Sequence, residues 1–357
     1  MRVVFGGYPS NRWTPGGKER LLHDAATELR ELGVDVELLD PWGSADHHFD
    51  VLHLWGSEHY QHEMGIRAKA RGAGLLVTSI LVYPTTSVER RTRWWRYVDP
   101  LVPLATSFSL RRDLLQMADL VVCLARDEIE QVQTTYGVPA DRIRLVPATA
   151  SSAFRSATPD LFLERVGIDD PVLCVARVEP RKNTLALVRA AREVGLPLVL
   201  IGELDPNHAS YCAAVMSELD RLPAAAHIPF LAPDDPLIPS AYAAARVHAL
   251  VSHSEQIGVS SLEAGLAGAT LVVSQLPSTR EVFGELAWYV DPHDQRSIEA
   301  ALQAAYAAPR TSALAEHLDA TYSSRAAARR LKGLYADVCS ERRGPAIGRV
   351  AQQPHRC

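Results

Sequence analysis

Val247-His248-Ala249-Leu250-Val251-Ser252-His253-Ser254-Glu255-Gln256-Ile257-Gly258-Val259-Ser260-Ser261-Leu262-Glu263-Ala264-Gly265 decides the fold. It opens with an apolar run of strand length, passes through a polar loop, and re-enters apolar sequence behind Gly258 with helical spacing. A strand feeding through a short loop into a helix is half of a βαβ unit, and repeats of that unit build parallel sheets. The same alternation runs through the chain. Val3-Val4-Phe5 reads as a strand, and Leu21, Leu22, Ala25, Ala26, Leu29 and Leu32 then share one helical face, with Gly33 placed as a C-cap. Further strands are expected near 34–39, 51–54, 75–80, 120–124 and 143–146. A second series is expected at 172–175, 198–201, 227–231, 247–251, 271–274 and 288–290, with helices at 184–194, 211–222 and 298–306.

These series predict an α/β protein: two Rossmann-like parallel-sheet domains facing a central cleft. The first covers 1–150 and the second 151–312, with the Ala-, Ser-, Thr- and Pro-rich stretch 147–158 as the boundary. A terminal helix within 313–340 is expected to pack back toward the first domain, and a disordered tail at 341–357. The 357 residues suit two domains of about 150 residues each.

Composition narrows the function. With 47% hydrophobic and 22% charged residues the chain is globular, and a formal charge of −5 argues against nucleic-acid binding. Cys123, Cys174, Cys212, Cys339 and Cys357 are scattered and odd in number, without the spacing of a zinc site or a disulfide framework. Met1 leads directly into Arg2-Val3-Val4-Phe5, without the pattern of a secretory leader, and no apolar run approaches the roughly 18 residues of a spanning helix. A cytoplasmic protein is expected, with peripheral contact at the inner membrane surface as the limit of membrane association.

Chemistry concentrates in the loops after strands, where ligands of doubly wound folds bind. Gly258 opens a helix whose first amides lack partners and sit at the positive end of the dipole, a place that favours a diphosphate. Glu263, about one turn inside, suits the paired hydroxyls of a ribose, and Glu255 suits a sugar ring. A simpler reading makes Glu263 a helix-start carboxylate and Glu255 a solvated loop residue. Val175-Ala176-Arg177-Val178-Glu179-Pro180-Arg181-Lys182-Asn183 places Arg177 and Lys182 about a proline turn. A guanidinium beside an ammonium suits a departing diphosphate; alone, the turn reads as a solvated basic loop. Lys182 is one of four lysines, with Lys18, Lys69 and Lys332. Pro15-Gly16-Gly17-Lys18 lets backbone amides approach a ligand closely, although a helix-start turn explains it equally well. It matches neither the dinucleotide fingerprint nor a Walker loop.

Together these residues resemble family 4 glycosyltransferases, the large retaining family of GT-B fold. The resemblance runs from the Gly16-Gly17 loop to Val290-Asp291-Pro292 and is densest over 171–292, where Phe230-Leu231 and Ala241-Tyr242-Ala243-Ala244-Ala245 also fall in family order. It implies that Arg177 and Lys182 hold the donor diphosphate and Glu263 the ribose. Glu255 with the amides of Gln256, Ile257 and Gly258 addresses the transferred sugar, Val259 also borders the donor, and the Gly16-Gly17 loop closes over the same diphosphate from the other domain. The implied reaction moves a sugar from a nucleotide diphosphate-sugar to a hydroxyl with retention of configuration, with no cofactor and no metal. An epimerase or hydrolase of the same fold and a non-catalytic nucleotide-sugar binder are the alternatives.

Departures from the family pattern are specific. Thr78-Ser79-Ile80-Leu81 lacks a histidine that many relatives carry after this strand; Ala176 and Ala232 replace common glycines; Pro147-Ala148-Thr149-Ala150 replaces the usual linker. His53 reads equally as an acceptor-side residue or a core histidine. The segment Glu89-Arg90-Arg91-Thr92-Arg93-Trp94-Trp95-Arg96-Tyr97 interleaves basic and aromatic residues, so Arg93 and Trp94 are acceptor-side candidates; the other reading is a solvated helix with inward aromatics.

Overall fold

The computed structural model describes residues 1–7, 17–40, 48–81, 98, 105–232, 234–255 and 258–343. Its first sheet contains β1 (Arg2–Gly6), β2 (Asp35–Leu38), β3 (Val51–Trp55), β4 (Gly74–Thr78), β5 (Leu120–Cys123) and β6 (Ile143–Leu145). They lie in the order β2-β1-β3-β4-β5-β6, with every neighbouring pair parallel. The second sheet contains β7 (Val172–Val175), β8 (Leu198–Ile201), β9 (Ala225–Ile228), β10 (Val247–Leu250), β11 (Thr270–Ser274) and β12 (Trp288–Val290). Its order is β12-β11-β10-β7-β8-β9, again parallel throughout. Every residue of β3, β4, β5, β8 and β10 is buried. That is why these strands read as continuous apolar runs: helices cover both faces of a parallel sheet.

In the first domain the helices are α1 (Gly17–Glu31), α2 (His62–Ala70), α3 (Ser107–Met117) and α4 (Arg126–Tyr136). The second contributes α5 (Asp160–Val166), α6 (Thr184–Glu193), α7 (Ala209–Leu219), α8 (Leu237–Ala244), α9 (Val259–Leu266), α10 (Pro277–Phe283) and α11 (Gln295–Ala307). The chain continues through α12 (Ala313–Thr321) into α13 (Ser324–Arg343). Helix α1 buries Leu21, Leu22, Ala25, Ala26 and Leu29, and the chain leaves it through Gly33 at φ +77°. Among the described residues no helix is long and apolar enough to cross a membrane.

Two expectations need correction. The strand expected at 227–231 is β9, Ala225–Ile228, paired to β8 from Leu198↔Ala225 to Ile201↔Ile228. Pro229 follows directly; it has no amide hydrogen to donate to a ladder, so the strand stops before it. The long terminal helix is broken in two. Ser323 Oγ accepts from the Ala326 amide at 3.3 Å and so starts α13 afresh. At the break, Ala150 donates to Tyr322 O and accepts from the Ser324 amide, both at 3.2 Å, which ties the crossing between domains to the chain's return.

Helix α12 stays on the second domain: a Cβ at Gly265 would lie 2.6 Å from Leu318 Cδ1. Helix α13 packs on the first. Tyr335 is fully buried, Lys332 Nζ donates to Leu32 O at 2.7 Å, and a Cβ at Gly74 would lie 2.5 Å from Val338 Cγ1. It continues to Arg343, past the boundary expected at 341; the remainder of the expected tail lies outside the described residues.

Candidate active site

Strands β7 and β10 are neighbours at the point where the strand order reverses, so the loops that follow them diverge and leave a crevice. The loop after β7 turns through Pro180–Lys182 to Asn183, which adopts φ +56° and anchors itself by donating Nδ2 to Pro292 O at 2.8 Å. The loop after β10 carries Glu255. Across the crevice the Lys182 ammonium is ion-paired with the Glu255 carboxylate, and both side chains are 14% exposed. Ser252 Oγ donates to Glu255 Oε2 at 3.4 Å. Arg181 pairs with Glu179 at 2.7 Å and donates Nη1 to Ser254 O at 3.1 Å, while the His253 amide donates to Arg181 O at 2.9 Å. The two loops are therefore stitched by side chain and backbone. Arg177 is exposed and lines the cleft, making no hydrogen bond or ion pair among the described residues.

Glycines let these backbones meet. Gly258, at φ +72°, opens α9, and a Cβ there would lie 2.8 Å from Leu250 Cδ2. Gly202, at φ +147°, passes so close to the loop after β7 that a Cβ would lie 2.1 Å from Ala176 O. From the other domain, a Cβ at Gly17 would lie 3.3 Å from Val259 Cγ2. The starts of α1 and α9 thus face each other over a cleft of about 520 Å³, with Phe230, 47% exposed, at its wall.

Glu263 lines this cleft but is only 3% exposed. Tyr242 Oη donates to its Oε2 at 2.9 Å, and Arg20 Nε lies 3.1 Å from its Oε1. Burial pushes its carboxyl up to about 7, against the opposing pull of Arg20 and the Tyr242 hydrogen bond. Among the described residues no three His, Cys, Asp or Glu side chains converge as a metal-ligating group.

Residues 167–320 match the glycosyl transferases group 1 family. The D-inositol 3-phosphate glycosyltransferase of Acidothermus cellulolyticus is 28% identical over 268 residues, 68% of this chain and 58% of the relative. The O-antigen chain mannosyltransferase B of Escherichia coli is 28% identical over 200 residues, 52% of this chain and 51% of the relative. The chain thus spans about half the length of the curated relatives it matches. Among solved structures, Anabaena HepE in complex with UDP and glucose superposes with a TM-score of 0.71 at 16% identity, over 94% of this chain and all of that one. Sucrose-phosphate synthase from Thermosynechococcus elongatus gives 0.73 at 16% identity, over 96% of this chain and 100% of that one. At that identity the likeness shows the fold, which is GT-B.

The residues expected to hold a donor, Arg177, Lys182, Glu255, Gly258, Val259 and Glu263, all border one cleft, and Gly17 reaches it from the first domain. Gly16, Gln256, Ile257, Arg93 and Trp94 lie outside the described residues. His53 is corrected: it is fully buried within β3, away from the cleft, with Nδ1 2.7 Å from Tyr335 Oη and Nε2 2.7 Å from Thr78 Oγ1. Burial pushes its imidazole down to about 3, so it stands neutral in the core. Ile80 lines the cleft and holds φ +42°, a costly conformation for a β-branched residue. Buried Glu128 fixes the wall beside it, accepting from the amides of Leu81 at 2.7 Å and Leu124 at 2.6 Å. The expectations from sequence missed Arg20, and missed that Tyr242 serves Glu263. Arg20 stands three positions after Gly17, aligned with Asp24 and Glu31 on the side of α1 opposite Leu21, Leu22, Ala25, Ala26 and Leu29, so the sequence pattern gave no signal for it.

Proposed function

We propose that this chain transfers a sugar from a nucleotide diphosphate-sugar to an acceptor hydroxyl, with retention of configuration and without a metal ion. The observation that carries this reading is the meeting of Lys182 and Glu255 at the switch point, beside Arg177 and the start of α9, under Gly17 of the opposite domain. The diphosphate lies against the α9 amides, Arg177 and Lys182, and Glu263 takes the ribose hydroxyls. Glu255 faces the transferred sugar and Phe230 the base. The bond from the anomeric carbon to the diphosphate oxygen breaks as the acceptor oxygen bonds to that carbon on the same face. The acceptor proton passes to the departing phosphate oxygen. Charge growing on the diphosphate is met by fixed cations and helix amides, which stabilise the transition state more than the bound donor. Support comes from relatives whose names are glycosyltransferase and mannosyltransferase, and from a structural neighbour holding UDP and glucose.

The test is to incubate the chain with a panel of nucleotide sugars and hydroxyl acceptors, following nucleoside diphosphate release and the anomeric configuration of the product by NMR. Acceptor-dependent release with a retained anomer is expected. An inverted product sinks retention. Free sugar or an epimer formed equally well without acceptor sinks transfer.

A further inference from the structure

We propose that Arg20 is a positioning residue of the nucleotide site supplied by the opposite domain, orienting Glu263 and preserving its charge for the ribose. This inference rests on the ribose assignment of Glu263. Arg20 belongs to the first domain, on α1, whereas Glu263 lies on α9 of the second; Nε and Oε1 are 3.1 Å apart, with the two side chains 16% and 4% exposed. The guanidinium also lies over the ring of Phe154, 5.8 Å from its centroid, in the short turn that follows the domain boundary. Phe154 in turn meets Tyr242 edge-on at 5.8 Å, and Tyr242 donates to the other oxygen of Glu263. The carboxylate is held from two sides by groups on different domains.

This arrangement has a chemical consequence. An ionised carboxylate accepts two ribose hydroxyls, whereas a protonated one must spend an oxygen as donor. Burial raises the Glu263 carboxyl to about 7, and the nearby Asp24 of α1 adds to the rise, while Arg20 and Tyr242 oppose it. His248 stands behind Tyr242, ring centroids 5.8 Å apart, and is held neutral by burial. Among these groups Arg20 is the cation facing the carboxylate. Withdrawing α1 from α9 would take that cation away, so recognition of the ribose is coupled to the meeting of the two domains. Donor binding and domain closure then favour each other, as linkage requires.

The probe is whichever of UDP, GDP, ADP, dTDP and CDP raises the melting temperature of the wild-type chain most, titrated calorimetrically from about pH 6.5 to 9. Wild-type affinity is expected to fall on acidification below about pH 7. Arg20→Met moves that midpoint upward, so the probe binds about tenfold or more weakly at neutral pH, with the deficit closing toward pH 9. On the acid side of its midpoint a carboxyl loses about tenfold in ionised fraction for every tenfold rise in proton concentration, which sets that size. Arg20→Lys keeps the charge without the forked reach, and its midpoint lies between the two. It carries the test alone if Arg20→Met does not fold. A Met variant with wild-type affinity, a loss equal at all pH values, or a Lys curve that superimposes on wild type overturns the role of Arg20. Glu263→Gln separates the underlying reading: it is expected to bind weakly at every pH, and wild-type affinity there overturns the ribose assignment itself.

Discussion

Lys182 and Glu255 come from loops after adjacent parallel strands and neutralise each other across the switch point of the second sheet. A partly buried pair of this kind is poised to exchange partners: an arriving diphosphate competes with Glu255 for the ammonium, and the sugar hydroxyls compete with Lys182 for the carboxylate. Lys182→Ala is expected to lower turnover by about 10²-fold or more, with a smaller loss in nucleoside diphosphate affinity, as for removal of one preorganised electrostatic group. Glu255→Gln is expected to lower turnover while leaving or improving nucleoside diphosphate affinity, since the ammonium no longer has to leave a charged partner. Steady-state kinetics beside calorimetry on both variants checks this; equal loss of turnover and affinity in Lys182→Ala contradicts it.

Chelation tests the charge balance of the proposed site. With Arg177, Lys182 and the α9 amides around the diphosphate, EDTA is expected to leave the transfer rate unaltered. Activity abolished by EDTA and restored by magnesium or manganese contradicts a metal-free diphosphate site.

Two of the glycines that border the cleft, Gly258 and Gly17, are expected to fail in different ways. Gly258 has φ +72° and a neighbour 2.8 Å from any added Cβ. Gly258→Ala should therefore destabilise the fold by about 1–3 kcal/mol and weaken diphosphate binding. Gly17 has no such backbone demand, and among the described residues an added Cβ meets Val259, Cγ2 at 3.3 Å and Cβ at 3.4 Å, across the domain interface. Gly17→Ala should leave the melting temperature unchanged while kcat/KM falls roughly tenfold through imperfect positioning. Thermal melts and kinetics on the pair distinguish the two.

The periodicity around Val172, Leu198, Val247 and Leu271 located buried strands because buried parallel strands carry their signal locally. Pro229 was a local signal as well, and the expected strand at 227–231 overran it. The pairing of Lys182 with Glu255 was accessible only through the motifs, since it depends on the register Val247↔Val172 between segments distant in sequence. Arg20 was hidden for the same reason: on α1 it reads as one polar residue among several, and its meaning comes from a glutamate on the other domain. His53 shows the reverse case, where a familiar residue type within a strand is a core group satisfied by Tyr335 and Thr78.

The two buried histidines of the sheets are expected to respond oppositely to replacement. His53 and His248 are both fully buried with imidazoles pushed down to about 3 by burial, Lys182 adding to the effect at His248. Each is neutral in the folded chain and has an ordinary value of 6.5 when unfolded. Their contribution to stability is therefore intact above pH 6.5 and erodes as pH falls from there toward 3. At about pH 5 the erosion amounts to roughly 2 kcal/mol for each histidine. His248 has both ring nitrogens buried without a hydrogen-bond partner among the described residues, so His248→Phe removes an unsatisfied polar group and should be neutral or stabilising near pH 7.5. Near pH 5 it should gain a further ~2 kcal/mol over wild type. His53→Phe instead strands the hydroxyls of Tyr335 and Thr78, so it should destabilise by about 1–3 kcal/mol near pH 7.5 and recover part of that near pH 5. Urea unfolding of the three proteins at both pH values decides the matter; a His248→Phe variant no more stable than wild type near pH 5 would show that His248 is protonated in the fold.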